Sequence, residues 1–292
     1  MSGTVKKLVV IGAGQMGTGI ALVAAHVAKI AVVVVDSNHA ATQKSESFSR
    51  IWFENQISKG KVQSDDAERS LSRLSFQNKM EVVSDSDFVI EAVTENFEVK
   101  QKILSRCDEL APEHTILASN TSSISISRLG GATKRPDRVI GMHFMNPVPV
   151  MKLVEIIGGV STSEMTLNST LDLAKKMNKE TTFSKDYPGF IANRLLMPYI
   201  NEAVFVFSEG IASAEDIDKT MKLGTNVPMG PLQLADFIGL DTCLSIMEVL
   251  HRDIGDSKYR PCPLLTNYVA AGWLGKKTGK GFYEYHSNKT KN

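Results

Sequence analysis

Residues 5–11 form a short apolar run that ends in glycine, which predicts a buried strand of a parallel sheet. From 15 to 28 the apolar positions recur at helical spacing, and a β-branched run over 30–35 returns to strand. Strand, glycine turn, helix and strand in about 30 residues predict a βαβ unit. Residues 38–59 and 64–74 read as two polar helices around a Lys59-Gly60-Lys61 turn, a helical hairpin standing out from the sheet. Further strands are predicted over 88–93, 115–119, 139–144, 153–157 and 181–184. Helices over 97–110 and 163–177 lie between them.

The texture changes at Asp186-Tyr187-Pro188-Gly189, where Pro-Gly is strong turn punctuation. Beyond it the strand runs stop and helical patterns cover 190–208, 214–223 and 232–251. The expected architecture is an α/β domain over 1–187, a doubly wound sheet with the hairpin excursion, followed by an all-α domain over 188–292. The helical region carries Phe190, Ile191, Leu195, Leu196, Ile200, Val204 and Phe207. A domain of roughly 100 residues has little core to cover such faces, so a homodimer through these helices is expected.

Composition narrows the function classes. The chain has 292 residues, 33 Lys+Arg against 32 Asp+Glu, and a formal net charge of +1. That balance does not suggest nucleic acid as the main partner. Cys107, Cys243 and Cys262 are too scattered for a disulfide framework and contain no CxxC pair, so a structural zinc is poorly supported. No run of about 18 apolar residues suggests a membrane span. The N-terminus runs directly into the first strand without a targeting pattern, and the cytosol is the expected compartment. The mitochondrial matrix, after removal of a transit peptide, is the alternative.

Gly12-Ala13-Gly14-Gln15-Met16-Gly17 is a GxGxxG set between a predicted strand and a predicted helix. Gly12 permits the tight turn, Gly14 lets the backbone approach a pyrophosphate, and Gly17 lets helix and strand pack closely. The helix start offers N–H groups and a positive dipole end to phosphates, with Gln15 and Met16 in its first turn. Asp36 follows at the end of the second strand, where a carboxylate accepts from ribose hydroxyls and repels a 2′-phosphate. NAD is therefore favoured over NADP, and FAD is the weaker alternative.

The stretch 141–155 carries the candidate chemistry. A strand ends in His143, a proline-rigid turn follows, and the next strand carries Glu155, twelve residues on. Ligands of open α/β sheets bind at the carboxyl ends of strands. An alcohol dehydrogenation needs a base for the hydroxyl proton, and histidine with a carboxylate partner suits that task. No metal is required by this scheme.

The HFMNPVPVMKLVE run resembles the 3-hydroxyacyl-CoA dehydrogenase family, and the likeness covers essentially the whole chain. It includes GAGQMGTGIA, EAVTENFEVK, SNTSSISIS, DYPGFIANRLLMPYINEA, MKLGTNVPMGPLQLADFIGLD and GKKTGKGFYEY. The resemblance implies a Rossmann-like NAD domain and oxidation of an acyl-CoA substrate. It implies His143 as general base, Glu155 as its partner, and Ser122 and Asn193 as hydrogen-bonding groups for the substrate. It further implies that Glu95, Lys100, Ser122 and Asn146 lie on the cofactor side, and that Lys59 on the hairpin contacts coenzyme A. Trp52, in the apolar Ile51-Trp52-Phe53 run, stacks on adenine or packs the hairpin.

Three rival readings remain at this point. One is a dehydrogenase of a free hydroxy or sugar acid, such as an L-gulonate dehydrogenase, which has no need of Lys59. Another is a non-catalytic protein that has kept the fold, as lens crystallins related to this family have; His143, Glu155, Ser122 and Asn193 together argue against it. Lysine-based β-hydroxyacid dehydrogenases rank third, because they lack the His-Phe-x-Asn-Pro run. Acyl-chain length and physiological direction are not legible from the chain.

Overall fold

The computed structural model describes residues 5–285. The chain divides into two compact units, with the division between Tyr187 and Pro188.

In the first unit the elements run β1 (Lys7–Ile11), α1 (Gln15–His26), β2 (Ala31–Val35), α2 (His39–Ser58), α3 (Ser64–Leu71), β3 (Leu74–Gln77) and β4 (Phe88–Glu91). They continue with α4 (Phe97–Leu110), β5 (Ile116–Ser119), α5 (Ile126–Gly130), β6 (Val139–Phe144), β7 (Leu153–Gly158), α6 (Glu164–Lys176) and β8 (Glu180–Lys185). The strands form one sheet of order β3-β2-β1-β4-β5-β6-β7-β8. All neighbouring pairs are parallel except β6 and β7, which run antiparallel. This is the expected doubly wound α/β architecture with an antiparallel step at one side.

Burial explains the strand sequences. In β1, β2, β4 and β5 nearly every position is buried, so the strands read as continuous apolar runs rather than alternating ones. α1 is buried from Gly17 through Ala25, because the sheet covers one side and the hairpin the other. Phe53 of α2 is 1% exposed and packs with Leu22 of α1 and Ala67 of α3. Trp52 lies edge-on to Phe53, with ring centroids 4.9 Å apart, and packs against this cluster.

The second helix of the hairpin ends at Leu71, short of the expected residue 74, and Leu74–Gln77 form strand β3, which the sequence pattern does not mark. The reason is tertiary: Leu74 to Gln77 pair in register with Val32 to Val35 and cover that edge of β2. The five-residue helix α5 was also not marked by periodicity, being too short to show one.

The second unit contains α7 (Ala192–Ser208), α8 (Ala214–Thr225), α9 (Pro231–Ile238), α10 (Leu240–Ile254) and α11 (Pro263–Ala270). Its core gathers Met197, Ile200 and Val204 of α7, Leu232 and Ala235 of α9, and Leu240, Met247 and Leu250 of α10. The pattern over 232–251 suggests one helix, but Gly239 breaks it with φ +104°. A side chain there would meet Lys277 Cε at 2.4 Å. Two buried carboxylates tie the last described segment down. Asp236 accepts from the amides of Phe282 (3.0 Å) and Tyr283 (2.9 Å) and from the Tyr285 hydroxyl (3.0 Å). Asp218 accepts from the amides of Leu232 (2.8 Å) and Gln233 (2.9 Å) and from the Tyr283 hydroxyl (2.8 Å).

Candidate active site

The glycine fingerprint forms the turn between β1 and α1. Gly12 has φ +108°, and a Cβ on it would lie 2.5 Å from the Ala92 carbonyl oxygen. A Cβ on Gly17 would lie 1.9 Å from the Gly12 carbonyl oxygen. Both glycines are demanded by the protein's own packing. Gly14 is different: it is exposed, and a Cβ there would meet nothing within 4 Å. The space that Gly14 leaves is open to a ligand. Among the described residues no side chain caps α1 at Gly14, so the helix start can take an anion. Asp36 accepts from the Ala13 amide (2.9 Å) and the Asn38 amide (2.9 Å), which binds the acidic group to the glycine turn. Gln15 donates to the Asn146 side-chain oxygen at 3.0 Å, linking the fingerprint to the turn after β6. The residues present thus fit a dinucleotide at this edge of the sheet.

His143 lies in β6 and Glu155 in β7, and the antiparallel register makes them direct partners. The distance from His143 Nδ1 to Glu155 Oε2 is 2.7 Å, with His143 6% and Glu155 1% exposed. The carboxylate accepts from Nδ1–H, which leaves Nε2 as the ring's acceptor. Ser122 Oγ stands 3.1 Å from Nε2. Carboxylate, imidazole and hydroxyl therefore form one chain along which a proton can be held and passed. The end of β6 is fastened by the Phe144 amide, which donates to Asn120 Oδ1 at 2.9 Å.

The loop that carries Ser122 follows β5 and is organised by Glu95. Oε1 of Glu95 accepts from Thr121 Oγ1 (2.6 Å), the Ser122 amide (2.8 Å), and the Ser123 amide (3.0 Å) and hydroxyl (3.1 Å). Lys100, in the first turn of α4, is fully buried. Its ammonium lies 2.8 and 3.0 Å from the two oxygens of Glu91 and 3.4 Å from Glu95 Oε2. Glu91 also accepts from Ser119 Oγ (2.6 Å) and the Val93 amide (2.7 Å).

Of the residues singled out in the sequence, the first unit brings together His143, Glu155 and Ser122, with Glu95 and Lys100 behind the serine loop. Gly12, Gly14, Gln15, Met16, Gly17, Asp36 and Asn146 gather around the glycine turn. Lys59 closes the C-terminal end of α2 and is exposed. Asn193 belongs to the second unit, in the first turn of α7. Sequence reasoning passed over Glu91, Ser119 and Asn120. Glu91 carried a signal, as a carboxylate ending the otherwise apolar strand Phe88–Glu91. Ser119 and Asn120 carried none, since short polar residues at strand ends are common.

Residues 7–187 match the NAD binding domain of 3-hydroxyacyl-CoA dehydrogenase, and residues 189–285 match its C-terminal domain. The chain is 53% identical over 281 residues to a probable 3-hydroxybutyryl-CoA dehydrogenase of Bacillus subtilis, covering 96% of this chain and 98% of the relative. It is 45% identical over 288 residues to the mitochondrial hydroxyacyl-coenzyme A dehydrogenase of Sus scrofa, covering 96% and 91%. The solved (S)-3-hydroxybutyryl-CoA dehydrogenase of Ralstonia eutropha superimposes with a TM-score of 0.94 at 48% identity, covering 97% of this chain and all of that one. With both halves matched in order over almost its whole length, the chain belongs to the 3-hydroxyacyl-CoA dehydrogenase family.

Proposed function

We propose that this protein catalyses the reversible, NAD-dependent oxidation of an L-3-hydroxyacyl-CoA to the 3-ketoacyl-CoA, with His143 as its general base. The observation that carries the assignment of residues is the Glu155–His143–Ser122 chain at the ends of β5, β6 and β7. NAD, when bound, supplies the acceptor for the hydride that leaves C3. The residues of this chain handle the proton. His143 Nε2 takes it from the substrate hydroxyl, and the Glu155 carboxylate stabilises the imidazolium that results. Ser122 Oγ and Asn193 hold the substrate oxygen by hydrogen bonds, and in the reverse direction they polarise the ketone.

Gly12, Gly14, Gln15, Met16 and Gly17 hold the pyrophosphate side of NAD, and Asp36 accepts from the adenine ribose. Glu95, Ser122 and Asn146 form the nicotinamide side, with the buried Lys100 behind Glu95. Lys59, exposed on the hairpin, meets a phosphate of coenzyme A. The names of the bacterial relatives favour a short acyl chain. The protein works in the cytosol, and a matrix location applies to a processed form like the mitochondrial relatives.

The working form is a homodimer through the second unit. Leu195 (69% exposed), Ile211 (67%) and Leu223 (77%) of that unit support this reading, since large apolar side chains at such exposure suit a protein interface. Light scattering with a single stable and active species near 32 kDa refutes the dimer.

The deciding assay offers NADH with either acetoacetyl-CoA or acetoacetate. Oxidation of NADH with the thioester and none with the free acid is expected. Equal turnover of acetoacetate moves the assignment to a free hydroxy or sugar acid, and no turnover of either moves it to a non-catalytic relative. A chain-length series of 3-ketoacyl-CoA substrates then fixes the preferred acyl group.

A further inference from the structure

We infer that Lys100 and Glu91 are positioning residues: a buried ion pair that fixes Glu95, and through it the loop presenting Ser122. The inference rests on the proposed role of Ser122.

Lys100 sits where a cation is least welcome. It lies in the first turn of α4, where the helix dipole favours negative charge, and it is shut off from water. Its carboxylate neighbours offset both costs. The ammonium has three protons, and four oxygens surround it: both of Glu91, Glu95 Oε2 at 3.4 Å and the Val93 carbonyl at 3.4 Å. Its donor capacity is used within the protein, so a direct bond from Lys100 to a cofactor would require breaking one of these. Lys100 therefore acts through its neighbours.

Glu91 cannot by itself hold the loop, since both its oxygens are engaged by Lys100, Ser119 and the Val93 amide. Glu95 is the one that reaches across. Its Oε2 faces Lys100, and its Oε1 takes the four bonds from Thr121, Ser122 and Ser123. Two carboxylates converge on one ammonium, and only one of them holds the serine loop. The cation keeps Glu95 aimed at the loop. A buried ion pair often adds little stability over an apolar substitute, so specifying one geometry is the better account of this cluster.

The test is a cycle of Lys100→Met, Glu91→Gln and the double variant. Lys100→Met strands Glu91 as a buried charge, and a large drop in melting temperature is expected. In the double variant the buried charge is gone, so most of the stability returns. Glu95 still lacks its cation, however, and kcat should stay at least about 10-fold below the parent, while NADH affinity stays within about threefold. Amide exchange at Ser122 and Ser123, read without substrate, should be faster than in the parent. Glu95→Gln, which keeps an acceptor in place but drops the charge, should show the same exchange pattern and gives a second route if Lys100→Met does not fold. Recovery of kcat in step with melting temperature, with parental exchange in the loop, means the pair is merely structural and overturns the inference. Collapse of NADH affinity with unchanged kcat at saturation makes Lys100 a direct ligand and overturns it too. A parent enzyme inactive on acyl-CoA thioesters refutes the role of Ser122, and the exchange measurement then decides the inference alone.

Discussion

Each unit buries carboxylates, and the two sets are satisfied in opposite ways. In the first unit Glu155 meets an imidazole and Glu91 meets an ammonium, so each carboxylate faces a group that carries or can take a proton. In the second unit Asp218 and Asp236 meet backbone amides and tyrosine hydroxyls. Burial pushes the Asp236 carboxyl above its ordinary 3.8. Burial and the Asp218 and Asp236 carboxylates push the Tyr283 and Tyr285 hydroxyls well above their usual range. The second set, bound to backbone amides and tyrosine hydroxyls that hold the last described segment, is a lock. The first set lies where the carboxyl ends of β4 and β6 meet the start of the antiparallel β7, the side of an open α/β sheet on which ligands bind. A buried carboxylate is therefore informative about function only through its partner.

The comparison breaks most visibly at His143. His143→Gln keeps the bulk and the hydrogen bonding but cannot accept a proton. We expect kcat to fall about 10²–10⁴-fold, with melting temperature and NADH affinity near the parent. Glu155→Gln should also lower kcat, and the double variant should lose little beyond His143→Gln, because without the imidazole the carboxylate has nothing to orient. Turnover of His143→Gln within a few-fold of the parent, at full ligand binding, identifies a different base.

Asp236→Asn should do the reverse. Its new amide N–H faces backbone donors, and leaving those donors unsatisfied costs roughly 1–3 kcal/mol for each group affected. The expected outcome is a lower denaturation midpoint for the second unit at unchanged NADH affinity. The chain has two tryptophans, Trp52 in the first unit and Trp273 in the second, so a Trp52→Phe background makes fluorescence report the second unit alone. A midpoint within error of the parent removes the lock.

Asp36 stands between the two sets. It is half-buried and accepts from the Ala13 amide of the glycine turn and from the Asn38 amide. Asp36→Ala should weaken NAD binding by roughly 1.5–3 kcal/mol and narrow the preference for NAD over NADP. Equal efficiency with NAD and NADP in the unsubstituted enzyme sinks the idea.

The smallest effect concerns pH. Burial holds the imidazole of His26, set against Trp52 and Phe53 and bonded to Ser70 at 2.9 Å, below its ordinary 6.5. The folded state prefers neutral His26, so its contribution is present above 6.5 and lost as pH falls through the depressed folded value. For Asp236 the sign is opposite: its contribution is present below 3.8 and lost as pH rises through the raised value. On acidification from pH 8 to about 5 the hairpin should therefore loosen before the second unit does. Trp52 fluorescence in a Trp273→Phe background should show a falling midpoint, and His26→Gln should flatten that slope. An identical slope in His26→Gln clears His26 of the effect.

Much of this molecule is written locally. The apolar runs of β1 and β2, the helical spacing between them and the GxGxxG turn define the nucleotide-binding half, because each depends on neighbours in sequence. The turn chemistry of Gly12 and Gly17 is equally local, and Pro188-Gly189 marks where strands give way to helices. His143 and Glu155 were legible as a candidate pair from residue type and spacing alone. Other features needed the third dimension. The antiparallel register of β6 and β7 sets Glu155 directly opposite His143, and a slip of one residue would turn it to the other face of the sheet. Strand β3, which the pattern does not mark, forms because Leu74–Gln77 pair in register with β2. Gly239, at φ +104°, divides one apparent helix into two, and Lys277 occupies the space that a side chain there would need. Above all, the pattern marks Lys100 as one more charge on a polar helix, and folding seals it between two glutamates. Periodicity records which positions meet water or core along one element. The partner of a buried charge comes from another element, and only the packed structure chooses it.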